Sequence, residues 1–262
     1  MSLYRSVVWF AKGLREYTKS GYESACKDFV PHDLEVQVPG RVFLVTGGNS
    51  GIGKATALEI AKRGGTVHLV CRDQARAEDA RDEIIRESSN QNIFLHIVDL
   101  SDPKQIWKFV ENFKQEHKLH VLINNAGCMV NKRELTEDGL EKNFAANTLG
   151  VYILTTGLIP VLEKEHDPRV ITVSSGGMLA QKLSTNDLQS ERTPFDGTMV
   201  YAQNKEDDGP QQCWVWATLC WQHQDGATQP PPQRIPQISW WQRRAFTACR
   251  GLYSKPAETR AT

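Results

Sequence analysis

Short apolar runs and stretches of helical spacing alternate along most of this chain. Val42–Thr46, Thr66–Cys71, Ile93–Val98, Val121–Ile123 and Val170–Ser174 are brief and rich in Val and Ile, which predicts buried strands. Between them, helical spacing predicts helices over Ile52–Arg63, Gln74–Ser88, Pro103 to near His117, and Glu137–Lys164, with another near Met199. Gly64-Gly65 reads as a helix stop. Ser101-Asp102-Pro103 reads as a helix start, with a capping side chain followed by proline in the first turn. Strands separated by helices mean repeated βαβ units and a parallel sheet. The predicted fold class is therefore α/β, a doubly wound parallel sheet.

The turn after the first strand carries Gly47, Gly51 and Gly53 and opens a helix. Gly47 lets the chain turn off the strand, Gly51 lets backbone approach a phosphate, and Gly53 lets the helix pack closely on the sheet. The free N–H groups and dipole of that helix end favour an anion. With a strand before it and a helix after it, the loop predicts a dinucleotide site of Rossmann type.

The pattern fails after Lys205. Five of the seven tryptophans and half of the prolines fall in 206–262, including Pro230-Pro231-Pro232, with no sustained helix or strand period. Three regions are expected: a helical extension over 1–38, a dinucleotide-binding domain over 39–205, and an irregular or disordered tail over 206–262. Glu206-Asp207-Asp208-Gly209-Pro210 is expected to break the last helix immediately after Lys205. The sheet is then incomplete on its C-terminal side. The abrupt change resembles an alternative splice product or a shifted reading frame.

Composition narrows the partners. Acidic and basic residues balance at 31 each, so no global charge steers the chain to nucleic acid. Six cysteines without a C-x-x-C pair fit a reducing, intracellular compartment. The seven histidines show no H-x-x-x-H spacing, which gives a metal site no support. No run reaches the ~18 uninterrupted apolar residues of a membrane span. Leu3, Val7, Phe10 and Leu14 recur at helical spacing beside Trp9 and Lys12. Residues 1–15 therefore suit either an interfacial membrane helix or a helix packed on its own domain. The expected location is cytoplasmic or membrane-associated.

Tyr201 and Lys205 lie four apart, on one face of a helix. A free tyrosine titrates near pH ~10, and a neighbouring ammonium pulls that down. The ordered set Thr46-Gly47-Gly48-Asn49-Ser50-Gly51-Ile52-Gly53, Asp99, Asn124-Asn125-Ala126-Gly127, Asn147, Ser174-Ser175 and Tyr201-Ala202-Gln203-Asn204-Lys205 resembles the short-chain dehydrogenase/reductase family, nearest its retinol-dehydrogenase-like members.

The resemblance covers about residues 38–205 and implies specific roles. Gly47, Asn49, Ser50, Gly51, Ile52 and Gly53 would form the pyrophosphate loop. Asp99 would meet the adenine ring, although it also suits the start of the following turn. Asn125 and Gly127 would lie beside the cofactor. Ser175 would bond the substrate oxygen; Ser174 competes for that place. Tyr201 would be the acid/base. Lys205 would bind the nicotinamide ribose and lower the Tyr201 pKa. Asn147 would hold a water of the proton relay.

Arg72, at the end of strand two, suits the 2′-phosphate of NADP(H), with NAD(H) as second choice. The implied function is hydride transfer between a nicotinamide cofactor and a small carbonyl or alcohol substrate. The alternative is a non-catalytic nucleotide-binding isoform, because the family's C-terminal elements are missing.

Overall fold

The computed structural model describes residues 3–16, 18–28, 35–176 and 181–207. The sheet is built from β1 (Val42–Thr46), β2 (Thr66–Cys71), β3 (Ile93–Ile97), β4 (Val121–Asn124) and β5 (Arg169–Thr172). All pairs are parallel and the order is β3-β2-β1-β4-β5. The chain runs outward from β1 to β3, then crosses back to β4 on the other side of β1. That reversal opens a crevice at the carboxyl ends of β1 and β4, where a doubly wound sheet holds its ligand.

Side-chain alternation along the strands divides the core between two faces. Val45, Leu69 and Ile123 pack with Ala57 and Ile84, which lie on α3 (Gly51–Lys62) and α4 (Gln74–Ser88). Leu44, Val70 and Leu122 pack with Phe109, Phe113, Leu154 and Leu158, which lie on α5 (Pro103–Glu116) and α7 (Gly150–Leu162). Leu44, Val45, Leu69, Leu122 and Leu154 are fully buried. Burying each such side chain is worth about 1.5–3 kcal/mol, which makes these two layers the main source of stability.

The helix expected over Glu137–Lys164 starts later. Gly139 has φ +76°, outside the helical region, and Glu141 caps the helix that begins at Lys142. That helix runs as α6 (Lys142–Phe144), a π turn over Ala145–Leu149, and α7. Lys142–Leu162 is long and apolar enough to cross a bilayer, and 67% of its 18-residue apolar stretch is buried inside the domain, as befits a core helix.

The last described helix, α8 (Gly197–Asp207), continues past Lys205 to Asp207 rather than stopping at once. β5 is shorter than expected, ending at Thr172, and leaves Ser174 in the loop beyond. Among the described residues β5 is the sheet's edge, and its Ile171 is 46% exposed.

The N-terminal region holds α1 (Leu3–Glu16) and α2 (Lys19–Ala25), with a short 3-10 turn over Cys26–Asp28. Val7, Phe10 and Leu14 on α1 are all exposed. The tail expected over 206–262 lies outside the described residues from 208 onward.

Candidate active site

The site is assembled where β1, β4 and β5 end. After Thr46 the chain turns through Gly47 at φ +65° and Gly51 at φ +52°, both left-handed conformations that favour glycine. The Gly47 N–H is held by the Val70 carbonyl at 2.8 Å. A Cβ on Gly53 would stand 2.4 Å from the Gly47 carbonyl oxygen, so only glycine lets α3 approach its own loop. A Cβ on Gly51 would meet nothing within 4 Å. The Gly48 and Asn49 amides point at the Cys71 sulfur, and burial pushes that thiol's pKa up.

Helix starts differ in one respect. Asp73 caps α4, Asp102 caps α5, Glu141 caps α6, and Asp196 accepts the Thr198 and Met199 amides at the start of α8. At α3 the N-cap is Ser50, whose side chain makes no capping hydrogen bond. The first turn of α3 thus lacks the side-chain cap that these other helix starts carry.

Asn125 fixes the other wall. Its side-chain amide donates to the Thr46 carbonyl at 2.9 Å and to that of Gly47 at 3.4 Å. Asn124, buried, donates to Thr155 at 2.9 Å. Asn147 lies in the π turn, fully buried, and holds Cys128 at both ends. Its Oδ1 accepts the Cys128 N–H at 2.8 Å and its Nδ2 donates to the Cys128 carbonyl at 2.8 Å. Burial raises the Cys128 thiol pKa, which keeps the sulfur protonated and a poor nucleophile.

Lys205 is 3% exposed and its Nζ donates to the Val173 carbonyl at 3.0 Å. The same Nζ stands 6.0 Å from the centre of the Tyr201 ring. A Cβ on Gly127 would lie 3.4 Å from Asn147 Oδ1 and 3.6 Å from Lys205 Nζ, ordinary contact distances, so Gly127 borders both side chains. Ser174 donates its hydroxyl hydrogen to the Lys205 carbonyl at 2.8 Å. That bond pins α8 to the β5 exit and commits Ser174 to the scaffold. Ser175, half-buried, is the next residue out.

At the far end of the crevice Arg72 is exposed just beyond β2. Asp73 is spent on the α4 cap, accepting the Arg76 N–H at 3.1 Å. One Asp99 oxygen accepts both the N–H and the hydroxyl of Ser101 at 2.8 Å, so Asp99 does shape the following turn. Arg72 and Asp99 are both close enough for their charges to act on the Cys128 thiol.

Sequence reasoning missed Thr46, Glu141, Asn143 and Gly197 as parts of this architecture. Two asparagines one turn apart in an otherwise apolar helix were a usable signal for Asn143. The Thr46 hydroxyl at a strand's end was a weaker one.

A short chain dehydrogenase profile matches residues 41–184, more than half of the chain. The chain belongs to the short-chain dehydrogenase family. It is 97% identical over 205 residues to human dehydrogenase/reductase SDR family member 12, covering 78% of this chain and 65% of the relative. It is 43% identical over 171 residues to mouse retinol dehydrogenase 12, covering 65% of this chain and 54% of the relative. The chain thus spans about two thirds or less of the length of these relatives. A Pseudomonas aeruginosa RhlG complex with NADP shares the fold at TM-score 0.55 and 22% identity, over 71% of this chain and 70% of that one.

Proposed function

We propose that this chain transfers a hydride between NADP(H) and a small, apolar carbonyl or secondary alcohol. The observation that carries the reading is the uncapped start of α3 beside the open space at Gly51. Together they offer backbone N–H groups and clearance to a pyrophosphate. Gly47, Asn49, Ser50, Ile52 and Gly53 complete that loop. Asp99 lies towards the adenine end, and Asn125 and Gly127 line the other wall. Arg72, an exposed guanidinium with no acid competing at the strand end, selects a 2′-phosphate, so NADP(H) is favoured over NAD(H). The bound nicotinamide supplies the hydride donor or acceptor.

The chain's own residues supply the proton. Tyr201 gives its hydroxyl proton to the carbonyl oxygen during reduction and takes it back in oxidation. The Lys205 ammonium, 6.0 Å from the ring centre, favours negative charge at Tyr201 Oη and binds the nicotinamide ribose. Ser175 donates to the substrate oxygen. Asn147, beside Lys205 across Gly127, belongs to the path that returns the proton. Support for catalysis over a non-catalytic nucleotide-binding relative comes from Lys205 standing 6.0 Å from the Tyr201 ring centre and bordering, with Asn147, the same Gly127. The likeness to retinol dehydrogenase 12 points to apolar substrates such as retinoids.

The test is NADP(H) and NAD(H) binding by the purified chain, followed by turnover with a panel of apolar aldehydes and ketones. Tight NADPH binding and turnover that vanishes in Tyr201→Phe supports the reading. NADPH binding without turnover points to the non-catalytic relative.

A second proposal is peripheral membrane contact through residues 1–15, in keeping with an intracellular protein. Val7, Phe10 and Leu14 are each more than half exposed on α1, an apolar stripe suited to an interface. Co-sedimentation with phosphatidylcholine vesicles that is lost in Phe10→Asp tests it.

A further inference from the structure

Asn143 is fully buried one helical turn before Asn147 and repeats its grip two residues further along the loop. Its Oδ1 accepts the Val130 N–H at 2.7 Å, and its Nδ2 donates to the Val130 carbonyl at 3.1 Å. Asn147 does the same to Cys128. The match is geometric. Four helical residues rise about 6 Å, and two extended residues span about 6.7 Å. Residues 128–130 therefore lie along the helix as an extended strand would, with side-chain amides in place of a neighbouring strand.

A buried carboxylate sets the orientation of that grip. Glu141 is fully buried; its Oε1 accepts the Asn143 N–H at 3.0 Å and Nδ2 at 2.9 Å, and its Oε2 accepts the Phe144 N–H at 2.8 Å. With Nδ2 turned to Glu141, the Asn143 oxygen must face the Val130 N–H.

The other side of this rail carries α8. A Cβ on Gly197, the first residue of α8, would stand 2.4 Å from the Val130 carbonyl oxygen and 2.7 Å from Asn131 Cα. At the other end of the rail, Gly127 lies against Lys205. Tyr201 sits between these two contacts on the same helix. The rail thus sets how deeply α8 seats in the crevice.

We propose that Asn143 is a positioning residue for the reaction. Through Val130 and Gly197 it holds α8 at the depth that places Tyr201 Oη for proton transfer. The inference rests on the hydride-transfer reading above. A group displaced by about an ångström can lose on the order of 100-fold in rate, and that sets the expected size of the effect.

The test compares wild type with Asn143→Leu and Gly197→Ala. The second variant pushes α8 off the rail from the opposite side and leaves the buried amides intact. Expected are NADPH affinity within about twofold of wild type and a 10- to 100-fold fall in the saturated rate. Faster hydrogen exchange at 128–131 and 197–201 should accompany it. Asn143→Asp removes the N–H groups that Nδ2 gives to Glu141 and to the Val130 carbonyl, so the same fall in rate is expected of it.

A second readout needs neither cofactor nor substrate: the phenolate absorbance titration of Tyr201, isolated by difference from Tyr201→Phe. A shifted Tyr201 midpoint in Asn143→Leu or Gly197→Ala supports the inference even if wild type turns over nothing, in which case the functional reading alone fails. Folded variants with wild-type exchange and an unshifted Tyr201 midpoint overturn it, as does a rate loss matched by an equal loss of NADPH affinity.

Discussion

The Thr46 hydroxyl accepts the Asn125 backbone N–H at 3.0 Å, while the Asn125 side chain returns a bond to the Thr46 carbonyl at 2.9 Å. The same hydroxyl accepts the Ala126 N–H at 2.9 Å and is buried at 1% exposure. One oxygen thus locks the turn into the glycine loop to the turn out of β4, the two walls of the crevice. Thr46→Val keeps the shape and removes that acceptor from two amides. The Asn125 N–H keeps the Ile123 carbonyl at 3.1 Å, so the Ala126 N–H is the group left without its acceptor. Such a group costs about 1–3 kcal/mol, and a loss of that size is expected in urea denaturation. NADPH affinity should fall with it. Thr46→Ser, which keeps the oxygen, should lie within about 1 kcal/mol of wild type.

Gly51 and Gly53 should respond differently to alanine. At Gly53 the new methyl group would meet the Gly47 carbonyl oxygen and Asn125 Nδ2, each at 2.4 Å, so the variant must move α3 and lose stability. At Gly51 no atom is in the way, and the strain of φ +52° costs only about 1 kcal/mol. Gly51→Ala should therefore fold yet bind NADPH at least tenfold more weakly, because the methyl group enters the space proposed for the pyrophosphate. Thermal melts with and without NADPH separate the two. A Gly51→Ala protein with wild-type affinity would remove the loop from the cofactor site.

Arg72 is the proposed reader of the 2′-phosphate. A charge-assisted hydrogen bond is worth about 1.5–3 kcal/mol, or roughly 10- to 150-fold in affinity. Arg72→Ala should weaken NADPH binding by that factor and leave NADH nearly unchanged. Isothermal titration of both cofactors checks it, and an equal loss for both would mean that Arg72 does not discriminate between them.

How much of this was legible in the sequence follows the range of the interactions. Val42–Thr46, Thr66–Cys71 and Gln74–Ser88 begin and end where hydropathy and turn residues place them. Each is decided by local propensity and by burial on a sheet. Lys142 as a helix start was hidden, because Gly139 and the buried Glu141 cap act together only once the loop has folded back. The motif residues could be read as candidates because a doubly wound sheet sets its ligand site at strand ends. The couplings among them could not be read, since Asn143 to Val130 and Gly197 to Val130 depend on the path of a loop that has no period. The Ser174 bond to the Lys205 carbonyl, made across a separation of 31 residues, is of the same kind.

Outside the crevice, His68 on β2 and His96 on β3 face each other with ring nitrogens 2.9 Å apart, walled in by Phe94, Phe109, Phe113 and His117. Such a contact needs an N–H on one ring nitrogen and a bare lone pair on the other, which two neutral rings supply. Burial first, and then the neighbouring histidines, hold His68 down to about 3 and His96 to about 4, from an ordinary 6.5. The sign follows from proton uptake. Above pH ~6.5 neither the folded nor the unfolded chain protonates these rings, and they add no pH dependence. Below it the unfolded chain binds protons first, so stability falls as pH falls, until the folded rings protonate in turn near 4 and 3. At pH 5 the loss is on the order of 2 kcal/mol per ring. Urea denaturation should show that decline between pH 7 and 5, and the double variant His68→Leu, His96→Leu should flatten it. A wild-type protein equally stable at both pH values would mean that the rings protonate without leaving their pocket.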